Sequence, residues 1–337
     1  MNKSAFTKNT HNRDSRNLLL LSLILVVLIV IFFFGYRAWT EINAEQIDDA
    51  GKTVTAVSHP TLRYLEQERP MRDYIKTLLV IGTDKFQDDE EPDDLWFNLQ
   101  MSDFIALLVF DLKAETVTPI QVNRDTMWFI PTLSISDKFN GYNYEQMSFA
   151  HSYGRGREDS CENVSRAVSE FMFGIPVDAY ICFTMDAVPV INDMVGGVTV
   201  TIDSDLTERD PSFTEGAVVT LKGEQALSFV RTRRHDSADA NVPRMGRHRQ
   251  YLNAFADAAK SAFAGNENLS TDAFTELDAY MCTDLSLYTF SDYSNWLADY
   301  RLQDFKTCDG FYRMGEQFAE FIPYRADLWN IVTEAVC

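Results

Sequence analysis

Leu18 to Gly35 reads LLLLSLILVVLIVIFFFG, 18 residues in which Ser22 is the only clearly polar side chain. A run of this kind is close to the roughly 20 residues a helix needs to cross the hydrocarbon core of a bilayer. Lys3, Lys8, Arg13 and Arg16 precede it against one acid, Asp14, whereas Glu41, Glu45, Asp48 and Asp49 follow it. The basic end therefore stays cytoplasmic. This predicts a cytoplasmic tail over 1–17, a single-pass membrane anchor over 18–36 and everything after residue 37 outside the cell. A cleaved secretory signal fits less well, because the run exceeds the usual apolar core of such a signal and YRAWTEINAEQ offers no A-x-A-like site.

Past the anchor, residues 37–70 are polar and charged, which predicts a partly helical extracellular stalk. From Lys76 the pattern changes to the apolar β-rich runs TLLVIG, FIALLVFD, TVTPIQV, AYICFTM and GVTVTI, with helix-like stretches at 163–173 and 250–264 between and after them. Strands mixed with helices of this length indicate an α/β fold: a three-layer α/β/α sandwich whose central, mixed sheet is apolar on both faces. The folded domain is expected over 71–337, with a core at 76–264 and a C-terminal extension at 265–337. The acidic run Asp88 to Asp94 reads as an exposed loop.

With 46% hydrophobic and 24% charged residues the chain can bury a substantial core. Its net charge of -20 argues against nucleic acid as a partner, since affinity for a polyanion needs a broad basic face. Cys161, Cys182, Cys282, Cys308 and Cys337 are an odd set without a C-x-x-C pair, a spacing that speaks against zinc. Cys182 reads as a buried core residue, and Cys282 with Cys308 as a candidate bridge.

Against this acidic background, FVRTRRHDSADANVPRMGRHRQ (229–250) holds six arginines and two histidines. Arginine presents a planar fork that matches phosphate oxygens, so arginines converging at one place imply a phosphorylated ligand. Read as a strand, ALSFVRTR puts Arg231 and Arg233 on one face. Arg244, Arg247 and Gln250, three residues apart, share the face of a helix that runs on into YLNAFADAAK. Asp84, Asp103 and Asp125 fall at strand ends, where α/β sheets bind ligands, and carboxylates of this kind suit magnesium beside a phosphate. Taken singly, each aspartate is explained equally well by ordinary turn chemistry.

The ordered set LLVIGTD, SDFIALLVFD, VNRDT, DKFNGYNYEQMSFAHSYG, GIPVDAYICFTMDAVPVINDMVGGVTVTI, LKGEQALSFVRTR and RMGRHRQYLNAF resembles the LytR-CpsA-Psr family. The resemblance implies an extracytoplasmic phosphotransferase that moves a glycopolymer, such as teichoic acid or capsule, from a polyprenyl-pyrophosphate carrier to peptidoglycan. It implies Mg2+ held by Asp103 and Asp125 with Asp84 in support. It further implies pyrophosphate bound by Arg124, Arg231, Arg233, Arg244, Arg247 and Gln250, with Lys138 and Asn140 lining the same mouth; Arg124, Asp125, Arg231 and Arg233 are the candidate catalytic residues. Asp236 or Asp239 is a candidate base, and the stretch around GIPVDAYICF could either house the prenyl chain or pack as ordinary core. A non-catalytic polyprenyl-glycan binding or envelope-regulatory protein, or a pyrophosphatase acting on the same lipid, are the alternatives. Four positions depart from the family pattern: Met101, Phe104, His248 and Asn241.

Overall fold

The computed structural model describes residues 60–86, 100–134, 138–232, 239, 241–266, 268–316 and 318–337, and the backbone pairing of Gln46–Ile47 with Thr53–Val54. The expected anchor, the acidic run and most of the expected stalk lie outside the described residues. Among the described residues no helix is long and apolar enough to cross a membrane.

A compact unit runs from His59 to Cys337. It opens with a hairpin, β1 (Thr61–Tyr64) and β2 (Gln67–Pro70), where a partly helical stalk is predicted. Leu62 of β1 is fully buried in the core, and Trp329 Nε1 donates to Gln67 Oε1 at 2.7 Å. The last ten residues assigned to the stalk thus belong to the domain.

The central sheet is built on the three longest apolar runs, β3 (Ile75–Thr83), β4 (Ser102–Asp111) and β5 (Thr116–Gln121), paired antiparallel in sequence. β8 (Ala179–Thr184) joins β3 in parallel, and β11 (Met281–Thr283) closes that edge antiparallel to β8. On the other edge the two-residue strands β12 (Arg301–Leu302) and β13 (Lys306–Thr307) both run parallel to β5. The result is a mixed seven-stranded sheet in the order β11-β8-β3-β4-β5, then β12 and β13.

Alternation along the strands divides the apolar residues between two cores, because successive side chains point to opposite faces. Leu79, Ile81, Ile105, Leu107 and Val109 pack with α1 (Glu158–Phe171) and with Leu328, Trp329 and Val332 of the C-terminal helix α7 (Arg325–Val336). Leu78, Phe110, Val117 and Ile181 pack with α2 (Ala187–Met194), α5 (Leu269–Glu276) and α6 (Leu287–Asp299). Helices on both faces of one sheet give the expected three layers.

A third cluster joins the ladder of β9 (Val198–Thr201) and β10 (Val218–Leu221) to α3 (Glu224–Arg231) and to α4 (Asn241–Gly265). α3 corrects the strand reading of ALSFVRTR. Its buried residues Ala226 and Phe229 are three apart, the period of a helix rather than of a strand. Two further hairpins complete the fold: β6 (Met127–Leu133) with β7 (Phe139–Gln146), and β14 (Gly310–Met314) with β15 (Ala319–Pro323).

Candidate active site

β4 runs antiparallel to both neighbours, so its first residues lie beside the carboxyl ends of β3 and β5: Gly82 faces Phe104, and Ala106 faces Gln121. Four sequence-predicted residues meet at this edge. Arg124, three residues past β5, pairs with Asp103 of β4, and its Nε lies 3.5 Å from Asp125 Oδ1. Arg244, one turn into α4, is 3.6 Å from the same Asp103 oxygen and reaches the Asp103 carbonyl at 3.4 Å. The guanidiniums of Arg124 and Arg244 are 11% and 3% exposed, so two cations share one carboxylate in a nearly dry setting. The amino end of α4 adds backbone N–H groups and the positive end of the helix dipole, which favour an anion.

Supporting contacts come from residues without an obvious chemical signature. Ser148 Oγ accepts from Arg124 at 3.3 Å, and Gln146 Nε2 donates to Asp125 Oδ1 at 3.4 Å and to the Ala319 carbonyl at 2.7 Å. Asn123 donates to the Tyr312 hydroxyl at 2.5 Å and accepts from Asn241 Nδ2 at 3.0 Å and from the Asp125 N–H at 3.0 Å. Phe321 N–H donates to the Asp125 carbonyl at 2.9 Å, so the β14–β15 hairpin helps hold the site. Neutral amides and a tyrosine about 190 residues from Asn123 carry no spacing pattern, and sequence reasoning misses them.

The four departures from the family pattern find structural partners here. Met101 Sδ lies 3.1 Å from the Arg124 guanidinium. Asn241 accepts from Arg244 Nε at 3.0 Å, fixing that arginine by a neutral contact. Phe104 and His248 form a single edge-on ring contact, 5.5 Å between centroids. Burial and then the charge of Arg244 push the His248 imidazole down to about 3, so this ring is neutral; its Nε2 sits 2.9 Å from the Val230 carbonyl.

Other predicted residues lie elsewhere. Arg247 is buried, bonded to the Thr232 carbonyl and 3.6 Å from Asp203, so it secures the end of α3. Gln250 donates to the Thr201 carbonyl at 2.7 Å and ties α4 to β9. Lys138 and Asn140 are exposed at the tip of the β6–β7 hairpin, where Phe139 pairs with Leu133. About seven residues of strand, roughly 20 Å, separate that tip from Asp125, so these two do not line the mouth. Asp84 follows β3 with its carbonyl accepting from Met185 N–H at 3.2 Å, and it forms no three-ligand group with Asp103 and Asp125. Arg233 and Asp236 lie outside the described residues.

Next to the arginine pair opens a cavity of 370 Å3 between the sheet and helices α2 to α6. Asp103, Arg231 and Arg244 stand on its wall with His248, and beyond them the lining is almost wholly apolar, including Val80, Leu108, Phe183, Leu252, Phe255 and Phe290. Arg231 is exposed at the end of α3. Of the GIPVDAYICF stretch only Ile181 and the following Phe183 reach this cavity; Ile175 and Cys182 pack in the opposite core. The cavity therefore belongs to one face of the sheet, with α4 and α6 as its other wall.

Asp103 and Asp125 are two carboxylates flanking one guanidinium beside this mouth. That donor set matches what magnesium takes from protein when waters and phosphate oxygens complete its shell.

The fold recurs in solved structures. One is protein gbs0355 of Streptococcus agalactiae, with a TM-score of 0.62 at 17% identity, covering 77% of this chain and 86% of that one. Another is a structure titled TagT bound to LI-WTA, with a TM-score of 0.60 at 21% identity, covering 84% and 97%. By sequence, the chain is 31% identical over 192 residues to the polyisoprenyl-teichoic acid–peptidoglycan teichoic acid transferase TagT of Bacillus subtilis (strain 168), covering 55% of this chain and 53% of that protein. TagU of Bacillus cereus (strain AH820) is 30% identical over 176 residues, 52% and 50%. The chain thus spans about half the length of the curated relatives it matches. Residues 31–308 match the LytR_cpsA_psr family, and the chain belongs to that family.

Proposed function

We propose that this chain transfers a glycopolymer from a polyprenyl-diphosphate carrier to a peptidoglycan hydroxyl, forming a phosphodiester. One observation carries the reading: a pair of nearly buried arginines shares a carboxylate at the mouth of an apolar cavity. A ligand with a diphosphate head and an apolar tail matches both halves. Because the tail comes from a bilayer as apolar as the cavity, the tail gains little on transfer. Affinity then rests on the diphosphate and the arginines.

In this reading Arg124, Arg231 and Arg244 hold the diphosphate, with Arg233 as a further candidate, and Asn241, Ser148 and Asn123 keep the guanidiniums and Asp125 in register. The acceptor oxygen forms a bond to the phosphorus that bears the glycan. The bridging P–O bond breaks, and polyprenyl phosphate leaves with the bonding pair while the hydroxyl proton passes to a base. Asp239, exposed near Tyr312, is one candidate for that base. The arginines neutralise charge that grows on the leaving phosphate, the main service proteins give to phosphoryl transfer. Magnesium, held by Asp103 and Asp125, would add a second positive charge there.

A membrane anchor over 18–36, with the domain outside the cell, would bring the cavity to the lipid. Names of the teichoic acid transferases TagT and TagU support the donor and acceptor classes. The test is release of polyprenyl phosphate from a glycan-loaded carrier with peptidoglycan as acceptor, with and without chelator. Release that requires the acceptor supports transfer. Release without it makes the chain a hydrolase, and binding without release makes it a capture protein.

A further inference from the structure

On the face of the sheet opposite the cavity, beside α1, the fold gathers four potential metal ligands that are spread along the sequence. His151 is the penultimate residue of the 3-10 turn Met147–Ser152, Cys161 lies in the first turn of α1, Cys182 is in β8, and Cys282 sits directly opposite Cys182 in β11. One ligand atom each of His151, Cys161 and Cys182 lie within 4.8 Å of one another. Cys161, Cys182 and Cys282 all pack in the same buried core. Tetrahedral zinc with Zn–S near 2.3 Å and Zn–N near 2.0 Å keeps its ligands about 3.5 to 3.8 Å apart, inside the 4.8 Å that spans the ligand atoms of His151, Cys161 and Cys182.

The histidine is oriented as a ligand. Its Nδ1 lies 3.3 Å from the Gln100 carbonyl, which can only accept, so the proton belongs on Nδ1 and the lone pair on Nε2. The histidine, Cys161 and Cys182 are fully buried and Cys282 is 5% exposed. Cys308 and Cys337 stand apart and are partly exposed, and Cys282 is not bridged to Cys308.

We propose that His151, Cys161, Cys182 and Cys282 form a structural site for one zinc ion, bolting α1 and the 3-10 turn to the sheet edge. Binding releases the three thiol protons and leaves the imidazole neutral, with no redox change. The burial means that the ion enters during folding and not by diffusion into the finished domain. The turn that carries His151 also carries Ser148, which bonds Arg124, so the bolt also steadies one wall of the active site.

The test uses the full chain, purified without chelator, with metal counted by mass spectrometry. About one zinc per chain is expected from a single site. After unfolding with chelator, refolding with cobalt(II) should give a thiolate-to-cobalt charge-transfer band. Cys182→Ser and His151→Asn should each lower cobalt retention by about tenfold or more, whereas Cys308→Ser should leave it unchanged. If a variant does not refold, the zinc count and cobalt spectrum of the unaltered chain decide alone. Zinc-free protein without a cobalt band overturns the proposal, as does a chain whose Cys161, Cys182 or Cys282 resists alkylation after unfolding until it is reduced, which would place a disulfide in the cluster.

Discussion

Replacing Asp103 by alanine separates the two tasks of the candidate site. In the unliganded protein this carboxylate lies between Arg124 and Arg244. At 3.6 Å and an effective dielectric constant near 20, the Arg244 pair alone has a gross Coulomb attraction of about 5 kcal/mol. Removing one member of such a buried pair costs about 3 to 5 kcal/mol, since the remaining charges stay desolvated. For a domain of this size that lowers Tm by roughly 10 °C. A diphosphate supplies the missing anion, so inorganic pyrophosphate should raise the Tm of Asp103→Ala more than that of the unaltered protein. Pyrophosphate affinity should stay within about tenfold or tighten, because the carboxylate competes with phosphate for both guanidiniums, while turnover falls by about a hundredfold or more. Differential scanning fluorimetry, calorimetric titration and the polyprenyl-phosphate release assay read the three quantities. An unchanged Tm, or affinity falling in step with kcat, would refute the account.

Arg231→Ala removes an exposed cation from the cavity mouth, so diphosphate-lipid affinity should fall by about tenfold with Tm within about 1 °C, measured by titration and fluorimetry. Leu108→Trp narrows the cavity; binding of long-chain prenyl diphosphates should weaken while pyrophosphate binds as before, and parallel loss of both would place the tail elsewhere. The folded-state pKa of His248 is depressed to about 3, so its contribution to stability is present above about pH 6.5 and is lost as pH falls toward 3. Between pH 6 and 4 the stability of His248→Gln should therefore fall less steeply, by about 1.4 kcal/mol per pH unit, in denaturant titrations.

The elements that could be read from sequence are those whose own side chains reveal their surroundings. β3, β4 and β5 announce themselves because a strand buried on both faces must be apolar throughout, and the helical spacing of Arg244, Arg247 and Gln250 survives in α4. Yet a shared helical face did not mean a shared task. Arg244 reaches Asp103, Arg247 turns to Thr232, and Gln250 to Thr201, because a 25-residue helix crosses several neighbours. Lys138 and Asn140 failed because they stand at the end of the β6–β7 ladder remote from Asp125, and ladder length is set by pairing that no short motif records. α3 was misread because eight residues with apolar side chains at mixed spacing fit either period. The buried thiol cluster was invisible for a related reason: its four members are adjacent only after two strands, a helix and a turn have come together.

The bonds from the β14–β15 hairpin to Asn123, Asp125 and Gln146 also bear on when the protein can work. A ribosome adds residues in order, and the contact between Asn123 and Tyr312 closes across a separation of 189 positions. A chain halted between residues 244 and 310 has Arg124, Arg231 and Arg244 but not the hairpin that holds Asp125 and Asn123, and long-range closures of this kind come late in folding. Incomplete chains would thus carry the arginines without an assembled site, and the site would be completed only with the final hairpin.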